Sequence, residues 1–146
     1  MKYVTLLGRL LFAYIFIQSS FGHFTQKSID YAAKSGVPLA SLAVPVSGVL
    51  CLLGGLMVLL GFKAKWGAWM LVLFLVPVTL TMHNFWAVTD PAKAQMQEIN
   101  FFKNLSMLGG ALIIAAMGAG QASLDELLKR RRQRIAGATG AASGQG

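Results

Sequence analysis

The stretch from Leu39 to Phe62 reads LASLAVPVSGVLCLLGGLMVLLGF and holds no charged residue. A helix crosses the roughly 30 Å hydrocarbon core of a bilayer with about 20 apolar residues, so this segment is long enough and apolar enough to span. Three more stretches of the same kind lie on either side of it, at about 3–24, 66–86 and 101–120. The first carries Arg9 near its start and Gln18, Ser19 and Ser20 near its end. The third follows Lys63 and Lys65, and the fourth opens at Lys103 and stops at Gly118-Ala119-Gly120. Strands of a membrane barrel would alternate apolar and polar residues, and these runs do not. The expected fold class is therefore all-α: an integral-membrane four-helix bundle.

Composition agrees. Of 146 residues, 55% are hydrophobic and 12% charged, against about 25% charged in a soluble domain. A soluble enzyme and a disordered chain are excluded, and a single cysteine, Cys51, cannot staple a disulfide scaffold. The first span is not expected to be a cleaved signal peptide, because Arg9 interrupts its apolar run and no small-x-small site follows it.

The net charge of +8 is unevenly placed. Four spans put the N-terminus, the turn at Lys63 and Lys65, and the C-terminal tail on one side. That side holds nine of the thirteen basic residues, Lys2, Arg9, Lys63, Lys65, Lys129, Arg130, Arg131, Arg132 and Arg134; the other holds Lys27, Lys34, Lys93 and Lys103. The excess marks the cytoplasmic side. Both termini are expected there, with loops 25–38 and 87–100 outside, and Trp66, Trp69 and Trp86 in the two interfacial belts. A bacterial inner (cytoplasmic) membrane is the expected location.

The expected domains are a membrane domain over 1–122, a basic amphipathic helix over 123–135 and a disordered tail over 136–146. Ser123-Leu124-Asp125-Glu126 has the spacing of a capping box, and Asp125 and Glu126 stand four residues before Lys129 and Arg130. Leu124, Leu127 and Leu128 supply an apolar side. Such a helix lies on an anionic leaflet, and beside a membrane span that reading ranks above nucleic-acid binding.

Helices in lipid associate at small residues. Ser47, Cys51 and Gly55 share one face of the second span, and Ser106 and Gly110 one face of the fourth. Pro45 and Pro77 are expected to kink their helices. The residues that suggest chemistry are polar. His23, His83, Asn84, Lys103 and Asn104 all fall near the outer helix ends, and a bundle can gather them into one pocket roofed by Phe85 and Trp86. Ionisable groups at membrane depth point to a function. Haem ligation by His23 and His83 lacks a spacing motif, and no acidic residue lies within a span to help bind a metal. A quinone fits best, since its carbonyls accept hydrogen bonds and a neutral histidine passes protons. Arg9 lies at the opposite end, with headgroup anchoring as its expected role and Asp125 as a candidate partner.

These residues resemble the DoxX family of small bacterial four-helix membrane proteins over about Thr5 to Asp125. That family's first helix reads R-x3-G-x2-F-x3-G-x2-K, and Arg9, Ala13, Phe16, Ser20 and His23 occupy those positions here. Its E-x2-G-G appears as Cys51, Gly54 and Gly55. Its H-[DN]-F-W appears as His83-Asn84-Phe85-Trp86, followed by Phe102-Lys103-Asn104 and Gly109-Gly110. The resemblance implies a membrane component of a redox or oxidative-stress system, working with a protein partner. The first expectation is a quinone-linked membrane protein with its site at His23, His83, Asn84, Trp86, Lys103 and Asn104. The alternative is a non-catalytic anchor or assembly subunit, with a small transporter ranking behind it. Association of several copies is left open.

Overall fold

The structure is a computed structural model that describes residues 2–143, with side chains over 2–137. It is all-helical among the described residues: α1 Lys2–Ser20, α2 Gln26–Lys34, α3 Ala40–Leu60, α4 Ala64–Met82, α5 Pro91–Met117 and α6 Leu124–Ser143. Short 3-10 turns at Phe21–Phe24 and Phe85–Ala87 extend α1 and α4. Four of the helical stretches, Lys2–Phe24, Ala40–Leu60, Ala64–Ala87 and Pro91–Met117, are long and apolar enough to cross a membrane. The chain is a multi-pass membrane protein.

α3 and α4 sit at the centre, with α1 packed on α3 and α5 on α4. The core is built from Ala13 and Phe16 of α1, Cys51 and Val58 of α3, Ala68, Leu71 and Leu75 of α4, and Ala111 and Ala115 of α5. Many of these side chains are small, whereas Leu7, Leu11, Tyr14, Leu53, Leu73, Leu80 and Ile113 face outward. A soluble protein would bury the large ones. Lipid removes that incentive, so close backbone approach decides the contacts. The Cβ of an alanine at Gly54 would lie 2.9 Å from the Gly67 carbonyl oxygen across α3 and α4, and one at Gly55 would lie 2.8 Å from Ile17 of α1. Gly55 and Cys51 thus form the expected contact face, and Gly110 lies beneath the Phe12 ring, while Ser106 is exposed.

Three boundaries differ from expectation. The fourth span begins at Pro91, well before residue 101, because Asp90 caps it: the Lys93 N–H donates to Asp90 Oδ1 at 3.0 Å, with proline in the first turn. The loop 25–38 contains α2, which is capped by Thr25 and buries Ala32 against Ala40 and Val44. α6 starts on the expected box, the Glu126 N–H donating to Ser123 Oγ at 3.3 Å. It runs on through Ser143, past the Ile135 boundary expected for the tail; the tail's last residues, 144–146, lie outside the described ones. Trp66 and Trp69 near one end of α4 and Trp86 beyond the other are exposed, as interfacial residues would be.

Candidate functional site

The two ends of the bundle are built differently. At the end where α1 begins and α6 starts, Arg9 is buried. Its Nε donates to the Leu59 carbonyl at 3.2 Å, one terminal nitrogen to Ala119 O at 2.6 Å and the other to Ala122 O at 2.9 Å. The guanidinium fork thus ties α1 to the end of α3 and to the chain after α5. Asp125 completes the knot, accepting from the Lys63 N–H at 2.7 Å and the Ala64 N–H at 3.1 Å, while its own N–H donates to Gly61 O at 2.8 Å. Gly61 has φ +65°, and a Cβ there would stand 2.5 Å from Ser123 Cβ and 2.9 Å from an Arg9 nitrogen. The expectation that Arg9 anchors to headgroups is corrected: each of its three nitrogens donates to a backbone carbonyl inside the protein. Asp125 makes no direct ion pair with it.

The opposite end separates the residues expected to form one pocket. His23 lies in the 3-10 turn after α1, pressed against Gly48, where a Cβ would come within 2.7 Å of His23 Cβ. Its Nδ1 donates to Ser19 O at 3.1 Å, which fixes the tautomer and leaves Nε2 as an acceptor. Its ring meets Phe74 edge-on at 5.6 Å. His83 ends α4 and donates from Nδ1 to Gln97 Oε1 at 2.7 Å; Gln97 Nε2 donates to the Tyr31 hydroxyl at 3.1 Å. Phe85 and Trp86 pack on Phe101 of α5 at 5.5 and 5.7 Å, making an aromatic cluster rather than a roof. Lys103 is exposed and donates to Asn100 on its own helix at 2.8 Å, whereas Asn104 beside it is buried. Asn84 is half-buried at the start of the second 3-10 turn. No hydrogen bond among the described residues joins His23 to His83, Asn84, Lys103 or Asn104.

What this end does contain is a cleft of about 760 Å³ bounded by the first 3-10 turn, α2, α3 and α4. Val44, Val46, Leu50, Leu73, Phe74 and Val78 line its apolar part. The hydroxyls of Ser47 and Thr81 also face it, but each donates back to its own helix, to Val44 O at 2.7 Å and Pro77 O at 2.8 Å. The wall is therefore apolar in effect. Polar groups with capacity to spare gather on one side: His23, Lys27, Ser28 and Tyr31. Of the expected site residues only His23 lines this cleft, with His83 tied to its rim through Gln97 and Tyr31.

The family profile that matches covers residues 1–131, nearly the whole chain, and is that of the SURF4 family. The chain belongs to the SURF4 family. It is 30% identical to the inner membrane protein YphA of Escherichia coli, over 67% of this chain and 69% of that one. It is 31% identical to a Surfeit locus protein 4 homolog of Schizosaccharomyces pombe, over 87% of this chain but 38% of the other. It is 35% identical to the ER-derived vesicles protein ERV29 of Saccharomyces cerevisiae, over 56% of this chain and 26% of that protein. The matches thus span well under half of these two yeast relatives. No solved structure matches.

Membership of the SURF4 family corrects the DoxX resemblance and the quinone-linked, oxidoreductase reading drawn from it. The short motifs at the helix ends were matched by residues that the fold uses for other purposes: Arg9 for the knot, Phe85 and Trp86 for packing on α5. Nor do the relatives' names support the alternative of an anchor or assembly subunit, or a transporter. Four residues that matter in this SURF4-family protein escaped the sequence reading as site residues: Lys27, Ser28, Tyr31 and Gln97. All four stand in stretches read as loops. The signals for helix there were the Thr25 and Asp90 caps and the apolar side formed by Ile29 and Ala32.

Proposed function

We propose that this SURF4-family chain binds an amphiphile within the membrane, taking its apolar part into the cleft and its acidic head at Lys27, His23, Ser28 and Tyr31. The observation that carries the reading is the cleft itself, with an apolar wall and polar groups confined to one side. Its volume falls within the range of about 300–1,000 Å³ usual for small-molecule sites. Lys27 supplies the positive charge, and His23 Nε2 accepts a hydrogen bond from a hydroxyl or a protonated acid. His83 acts indirectly, holding Tyr31 through Gln97. Trp86, Asn84, Lys103 and Asn104 support the α4–α5 side of this end rather than touching the ligand.

A membrane-embedded binding role also suits the kinship, which reaches from a bacterial inner membrane protein to a protein of ER-derived vesicles. The nine-to-four split of basic residues favours both termini on the cytoplasmic side, and the likeness to a bacterial inner membrane protein favours a bacterial cytoplasmic membrane for this chain.

The test is displacement of a fluorescent long-chain fatty acid from the purified protein in micelles. Ala43→Trp fills the cleft and should abolish the displaceable signal; Lys27→Glu should weaken binding on the order of tenfold by reversing the charge at the head. Unchanged binding in both variants would defeat the proposal. Binding lost in Ala43→Trp but indifferent to Lys27→Glu would keep the cleft as the site and overturn the placing of the acidic head at Lys27.

A further inference from the structure

At the end where α1 begins and α6 starts, a second and smaller depression of about 350 Å³ lies between α6 and the turn joining α3 to α4. Lys63, Lys129 and Arg132 line it, together with Phe62 and Leu128 as apolar neighbours and with Asp125. Asp125 is the one acid there, and both its oxygens already accept backbone N–H groups, from Lys63 and Ala64. Three cations therefore face a carboxylate that is occupied elsewhere. The neighbouring acid, Glu126, pairs with Arg130 at 2.9 Å, the only ion pair among the described residues.

Backbone geometry supports a purpose for this arrangement. Lys63 has φ +46°, one of two non-glycine residues with positive φ among those described. The left-handed region costs such a residue about 1–2 kcal/mol, and the Asp125 bond to its N–H helps hold it there. Lys129, Arg132 and Asp125 recur at helical spacing on one side of α6, while Leu124, Leu127, Leu128 and Ile135 are exposed. The depression opens where two spans end, at Leu60 and Ala64, and the exposed Trp66 and Trp69 stand just beyond. That is the depth of lipid headgroups.

We infer that this groove binds the headgroup of an anionic phospholipid, with Lys63, Lys129 and Arg132 around the phosphate and Phe62 and Leu128 against the start of the acyl chain. The occupant seats α6 on the membrane surface. A free phosphate shares the anionic chemistry but gains nothing from the two apolar side chains.

The experiment is native mass spectrometry of the full chain, released from micelles titrated with phosphatidylglycerol or with phosphatidylcholine of the same acyl chains. The wild-type chain should retain phosphatidylglycerol preferentially. A basic residue near an anionic surface contributes about fivefold, so K129Q/R132Q should lose on the order of tenfold or more of that preference. R131Q/R134Q removes equal charge from the same helix outside the groove and should lose little. Lys63→Gln serves as an independent variant on the other wall. Equal loss in both double variants, no preference over phosphatidylcholine, or an intact preference in K129Q/R132Q and Lys63→Gln would each overturn the inference. So would displacement of phosphatidylglycerol by inorganic phosphate at millimolar concentration, which would make the site one for free phosphate.

Discussion

The two ends of this four-span bundle use their polar residues in opposite ways. At the end where α1 begins and α6 starts, Arg9 and Asp125 are engaged by backbone groups: three carbonyls for the one, two N–H groups for the other. The groups they join are fifty or more residues away in sequence, so each bond closes a long loop. At the other end the bonds are side chain to side chain or within one helix, as in His83–Gln97–Tyr31, and the space among the short α2, α3 and α4 stays open. Backbone acceptors left by helix ends must be satisfied in a low-dielectric setting. Closing one end with a fixed fork leaves the other free to hold a cleft. The difference teaches that a buried charge in a membrane helix can be a fastener, while the more modest polar groups near an opening are the ones with capacity left for a ligand.

This contrast can be broken or sharpened by substitution, with unfolding followed in mixed micelles. The largest effect is expected for Arg9→Leu, which strands the carbonyls of Leu59, Ala119 and Ala122; a loss of about 3–5 kcal/mol is expected. Arg9→Lys should recover less than half, because a single ammonium cannot reproduce a planar fork. A wild-type unfolding curve for Arg9→Leu would end the view of this end as a fastener. Next comes Gly61→Ala, where the left-handed backbone and the approach to Ser123 Cβ combine for about 2–3 kcal/mol. Asp125→Asn keeps an oxygen for the backbone but drops the charge, so about 1–2 kcal/mol should go; no change would assign the role to shape alone. The smallest loss should be at the open end. Gln97→Leu breaks the His83–Tyr31 link at about 0.5–1.5 kcal/mol and should weaken fatty-acid binding more than it weakens the fold. A Gln97→Leu variant less stable than Arg9→Leu would reverse the comparison.

Much of the fold could be read without coordinates. A run such as Leu39–Phe62 has few ways to exist in lipid except as a spanning helix, because its backbone must bond to itself. The Ser123 cap on the Glu126 N–H is equally local, since its partners are neighbours in sequence. The start of α5 was available in the Asp90-Pro91 pair, though hydropathy alone placed the boundary at the apolar run. The ends of two spans were legible too: His23 follows α1 and His83 follows α4.

Rotation about each helix axis was not legible, and the site depends on it. Lys103 and Asn104 are adjacent, yet one is exposed and the other buried; His23 reaches the cleft, while His83 meets Gln97. In water an apolar stripe would reveal the inward face, but spans that are apolar all round carry no such mark. The partners of Arg9 are likewise invisible in sequence, because a carbonyl oxygen has the same chemistry at every residue and only the tertiary structure decides which three converge. The sequence by itself determined that this chain crosses a membrane in four helices, since solvation of the backbone in lipid leaves little choice. Which end is tied and which is open was decided only by packing, where glycines at contacts such as Gly48 and Gly61 set how closely the segments approach.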